Sequence, residues 1–69
     1  MADSVYRVTE VIGTSDESWE AAARAAVETA GKTLRDLRIA EVTKMDVQIE
    51  GGAITRFRVR LGISFKYDG

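Results

Sequence analysis

Arg56, Arg58 and Arg60 recur at every second position, and Lys66 follows in the same phase. Side chains spaced by two share one face of a strand, so these four cations form a row. Such a row could meet an anionic ligand, with Arg56 and Arg60 as candidate anion contacts. It could equally be a solvated sheet face paired with Glu41, Glu50 or Glu10 on neighbouring strands. A second chemistry is open to Asp46, Glu50, Glu41 and Asp68, whose carboxylates are hard oxygen ligands of the kind calcium takes. Symmetry axes of an oligomer can bring copies of one carboxylate together around such an ion. The chain has no histidine and no cysteine, which removes the commonest general base at neutral pH, imidazole and thiolate metal sites, and disulfides. The remaining hydroxyls, amines and carboxylates show no catalytic spacing. Gly51-Gly52 lies between two strand patterns rather than between a strand and a helix, so it is not a phosphate-cradling loop. These residues point to a binding or structural protein and not to an enzyme.

Ten basic residues stand against eleven acidic ones, for a net charge of −1. No global field therefore draws in nucleic acid or an anionic membrane surface. No apolar run approaches the roughly 20 residues of a membrane span, and the N-terminus lacks a signal-peptide layout, so the expected location is cytoplasmic.

The elements that must position these groups follow from periodicity. Phe57, Val59, Leu61, Ile63, Phe65 and Tyr67 alternate with the cations from Ile54 to Tyr67, giving a long strand with one apolar wall. Val5 to Ile12 reads as a first strand closed by Gly13, apolar on both faces. Thr14-Ser15-Asp16-Glu17 has the capping-box pattern, with Thr14 as the expected N-cap and Ser15 as an acceptable cap one residue later. Trp19, Ala22, Ala23, Ala26, Val27 and Ala30 then form one helical stripe. Trp19 is expected to be a packing anchor, and the helix is expected to run past Gly31 to about Leu34. The second strand, Arg38 to Glu50, changes phase: Ala40 and Val42 are even, whereas Met45, Val47 and Ile49 are odd. A β-bulge near Thr43-Lys44 would return both sets to one face. Gly51-Gly52 makes the hairpin turn.

The result is an α+β chain, β-α-β-β, with a three-stranded antiparallel sheet wrapped around one helix. Residues 1–69 form one domain, and strand one lies beside strand three or strand two. A lone core in a chain below about 70–80 residues rarely supplies more than about 3–5 kcal/mol. With no disulfides, and more apolar sheet than one short helix can cover, the chain is expected to finish its core by assembling with copies of itself.

Order, spacing and length together resemble the dodecins, small β-α-β-β proteins that form hollow homododecamers. The resemblance runs through Val5-Tyr6-Arg7-Val8, the Gly13-Thr14-Ser15 turn, Ala21-Ala22, the Leu34-to-Leu37 junction, Glu41-Val42 and the closing Val59 to Phe65 strand. It implies binding or storage of a small ligand, with a flavin (riboflavin or FMN) as the family default. Three positions depart from the flavin-binding pattern. Ile39 stands where a tryptophan would sandwich the ring system, Arg58 where a glutamine would read the ring edge, and Asp46-Val47 where an Arg-Gly pair would sit near the phosphate. An aliphatic side chain cannot stack, a contact worth roughly 1–3 kcal/mol in base–aromatic systems. Arg58 only donates hydrogen bonds, and Asp46 repels a phosphate. Weak flavin binding is expected. The alternatives are a calcium-binding or purely structural shell, or coenzyme A or another anion on the arginine face.

Overall fold

In the computed structural model, which describes residues 3–66, the chain runs β1 (Tyr6–Ser15), α1 (Trp19–Ala30), β2 (Leu37–Glu50) and β3 (Ala53–Lys66). The strands make one antiparallel sheet in the order β1-β3-β2, so β3 is central and paired along both edges. The expected topology holds, and of the two places open to the first strand the chain takes the one beside β3. Tyr67 and Asp68, assigned above to the apolar face and to the carboxylate set, lie outside the described residues.

The alternation of β3 does what its period requires. Val59, Leu61 and Ile63 are buried, Phe57 and Phe65 half-buried, and α1 meets this wall with Ala22, Ala26 and Ala30. Small helix residues allow a close approach, and β1 needs it most. A Cβ on Gly13 would collide with the Ala22 carbonyl oxygen and lie 2.9 Å from the Ala26 Cβ. Gly13 therefore does not end the first strand. It sits within β1, paired with Val59, where the helix backbone passes over it.

The helix ends differ from expectation. Thr14 and Ser15 continue β1, opposite Arg58 and Phe57, so their backbones belong to the ladder and neither caps the helix. Ser18 does: it is extended (φ −167°, ψ 166°), and its Oγ accepts from the Ala21 N–H at 3.0 Å. Ser15 instead shapes the bend, its Oγ accepting from the Glu17 N–H at 3.0 Å. At the other end α1 stops at Ala30 rather than at Leu34. The Gly31 N–H closes the last turn on the Val27 carbonyl, and 31–33 form a turn whose Lys32 and Thr33 N–H groups reach back only three residues. Leu34 still packs against the core.

The bulge expected at Thr43-Lys44 is present as a register shift between Val42 and Lys44, with further shifts between Leu37 and Ile39 and between Gln48 and Ile49. Gly51 and Gly52 have φ of 59° and 80°, as a two-residue type I′ turn requires.

The helix covers only part of the apolar sheet. Twelve helical residues span about 18 Å, whereas each 14-residue strand spans about 46 Å. The molecule measures 55 × 20 × 16 Å with a radius of gyration of 14.3 Å, against about 11 Å for a compact chain of this length. Val42, Met45, Ile49 and Ile54 lie exposed along the β2–β3 ribbon. An apolar hollow of about 250 Å³, lined by Trp19, Ala23, Val42, Met45 and Val59, opens on the β2 side of the helix.

Candidate functional site

Directly opposed residues of an antiparallel pair share a face, so the register defines the sheet face turned away from α1 rung by rung. Val8, Ser64 and Ile39 form one rung, followed by Glu10, Gly62 and Glu41. Next come Ile12, Arg60 and Lys44, then Thr14, Arg58 and Asp46, and beyond these Arg56 opposite Gln48. Two irregularities of β2 build this order. The shift at Arg38 lets Leu37 pack on the core while Ile39 turns outward. The bulge at Thr43 puts Lys44 and Asp46 among the arginines while Val42 and Met45 stay on the helix side.

Arg58 and Asp46 are locked together. Nε–H donates to Oδ1 at 2.7 Å and a terminal N–H to Oδ2 at 3.0 Å, a bidentate fork in the open, with the two side chains 42% and 53% exposed. This hydrogen-bonded contact holds the Asp46 carboxyl below its ordinary range. The charges of Arg58, Arg60 and Lys44 add to the effect, and partial desolvation opposes it. Asp46 in turn raises Arg58. The arginine row does not pair with Glu41, Glu50 or Glu10, and the register explains why. Glu41 and Glu10 both oppose Gly62, Glu50 opposes Ala53, and among the described carboxylates only Asp46 faces an arginine directly. The backbone beneath the pair is pinned from the other side of the sheet. Trp19 Nε1–H donates to the Asp46 carbonyl at 3.1 Å, and its ring meets Phe57 edge-on at 5.0 Å. Trp19 is thus the packing anchor its position suggests.

Of the flavin-pattern positions, Asp46 and Arg58 come together while Ile39 lies three rungs away, 67% exposed beside Val8 and Ser64. Among the described residues of this face the aromatic ring is Tyr6, at the end opposite Lys66. Arg60 shares a rung with Lys44, and neither Arg56 nor Arg60 makes an ion pair among the described residues. The carboxylates are dispersed: Asp46 is engaged by Arg58, Glu41 is two rungs off, and Glu50 accepts from Gln48 Nε2 at 2.7 Å near the hairpin. Among the described residues no three potential metal ligands gather. Lys44 was absent from the candidates read from sequence. Its signal was the phase slip itself, which transfers residue 44 to the arginine side.

Comparison with known proteins supplies the context for this face. A sequence model of the dodecin family matches residues 5–68. The calcium dodecin of Mycobacterium tuberculosis is 41% identical over 63 residues, spanning 91% of this chain and 89% of the relative. The dodecin of Thermus thermophilus is 38% identical over 64 residues, 93% of each protein. The solved structure of dodecin from Streptomyces coelicolor aligns with a TM-score of 0.93 at 42% identity, covering 100% of this chain and 99% of that one.

Proposed function

The chain belongs to the dodecin family, and from that premise we propose that it is a dodecameric small-ligand-binding protein with low flavin affinity. Dodecins are binding proteins rather than enzymes, and self-assembly suits the exposed apolar ribbon and the extended shape of one copy. The observation that carries the low flavin affinity is the outer sheet face. The stacking position is the aliphatic Ile39, flanked by Val8 and Ser64, and the ring-edge position is a guanidinium already engaged by Asp46. An unstacked ring would have to compete with water for its hydrogen bonds.

A second reading, a calcium-binding shell, is favoured by the relative that bears the name calcium dodecin. Within one copy Asp46 is engaged and Glu41 and Glu50 lie apart. Such a site would therefore draw carboxylates from several copies around a symmetry axis.

Riboflavin fluorescence quenching tests the first reading. Riboflavin lacks a phosphate, so the Asp46 charge does not confound the measurement. Wild type should quench weakly, Ile39→Trp should recover part of the binding, Arg58→Gln alone little, and the double variant most. Tight quenching by wild type overturns the reading. A marked gain in thermal stability on adding calcium, reversed by a chelator, would favour the second.

A further inference from the structure

We propose that Lys44 and Arg60, opposed across β2 and β3, form a binding site for a phosphate-class anion carried by a small ligand, with Asp46 as an internal competitor that holds Arg58 away from it. This deepens the small-ligand reading by naming the chemistry of one end of the ligand.

Lys44 and Arg60 are register partners, and like charges directly opposed across strands are destabilising. The adjoining rungs relieve them only in part within one copy, through the nearby charge of Asp46 and without a direct ion pair. On one side Asp46 is committed to Arg58 by both carboxylate oxygens. On the other, Glu10 and Glu41 oppose Gly62, about 7 Å along the strands. Among the described residues neither Lys44 nor Arg60 makes an ion pair. Two cations with open donors therefore sit side by side on the central part of the sheet.

The mounting is rigid. The bulge between Val42 and Lys44 is what turns Lys44 onto this face, and bulges re-aim side chains beside functional sites more often than elsewhere. Thr43 Oγ1–H donates to the Arg60 carbonyl at 3.2 Å, tying the bulge to the strand that carries the arginine. Lys44, Arg60, Arg58 and Asp46 line one small hollow with Ile12 and Val59. Its volume, about 20 Å³, suits one water, so an anion would rest at its mouth. The chemistry matches a phosphate: a planar fork from Arg60, a compact charge from Lys44, and a second fork from Arg58 whenever the ligand displaces Asp46.

Titration calorimetry of the assembled protein with inorganic pyrophosphate at low ionic strength tests this. Wild type should bind. Lys44→Gln combined with Arg60→Gln should weaken binding at least about tenfold. Asp46→Asn should strengthen it at least about threefold, the effect of deleting one unit charge some 5–6 Å away even at the dielectric of bulk water. Absence of binding by both wild type and Asp46→Asn, at unchanged native mass, overturns the proposal. So does equal binding by the doubly substituted protein. Loss of assembly by Arg60→Gln alone also overturns it, because these cations would then be meeting acidic side chains of a second copy. An assembled protein blind to pyrophosphate leaves the small-ligand reading standing, whereas a folded monomer removes that reading itself.

Discussion

Replacing Gly13 by alanine probes the contact that sets the helix on the sheet. The added methyl group would run into the Ala22 carbonyl oxygen and come 2.9 Å from the Ala26 Cβ. Neither neighbour is the far end of a flexible side chain: one is helix backbone, the other a Cβ. Relief therefore requires the whole helix to lift, which loosens Ala22, Ala26 and Ala30 from Val59, Leu61 and Ile63 together. Overpacking of this kind costs about 1–3 kcal/mol, and a rigid neighbour places Gly13→Ala near the upper value. At fixed protein concentration, which an oligomer requires, each kcal/mol lowers the melting temperature by about 4–8 °C in a domain of this size. Gly62→Ala is the matched control. Its Cβ would meet only Val8 Cγ1 at 3.5 Å, an ordinary contact, so the cost should stay within about 0.5 kcal/mol. Denaturant unfolding of both variants, with native mass recorded, measures the difference. Equal stability of Gly13→Ala and Gly62→Ala would refute the close-approach reasoning.

Ser18→Ala should cost about 0.5–2 kcal/mol through loss of the N-cap, with Thr14→Ala clearly milder in the same unfolding assay; the reverse order would return the helix start to Thr14. Trp19→Phe should be milder than Trp19→Ala, which loses both the Phe57 edge contact and the hydrogen bond to the Asp46 carbonyl; equal effects in thermal melts would contradict its anchoring role. Because the Asp46 carboxyl is held below its ordinary range, the ion pair's stabilisation is present above the unfolded carboxylate pKa and lost as pH falls through the lowered folded value. Wild type and Asp46→Asn should therefore differ near neutrality and converge in acid, and also in high salt; a gap that persists in acid would assign the effect to something other than the pair.

The most regular parts of the fold were legible in the sequence. The alternation from Phe57 to Phe65, the phase slip at Thr43-Lys44 and the Gly51-Gly52 turn are local patterns that no tertiary contact overrides. The cap was not, because Thr14-Ser15-Asp16-Glu17 satisfies a local motif while ladder pairing to Arg58 and Phe57 competes for the same backbone. Gly13 looked like punctuation because a sequence does not display the helix that passes over it. The Arg58–Asp46 pair was hidden for a different reason. Which carboxylate faces which arginine depends on every register shift in β2, and a one-residue slip exchanges the faces. The three flavin-pattern positions could be named from the resemblance. That two of them satisfy each other, with Lys44 and Arg60 on the next rung, required the register.

Native mass spectrometry of the freshly purified protein, read together with its visible absorbance after incubation with riboflavin and gel filtration, bears most directly on the central claim: a self-assembled dodecin shell with a weakened flavin site. A colourless dodecamer is expected at micromolar concentration. A folded monomer would contradict assembly through the exposed ribbon, and a yellow dodecamer retaining riboflavin would contradict a site weakened by Ile39 and the Arg58–Asp46 pair.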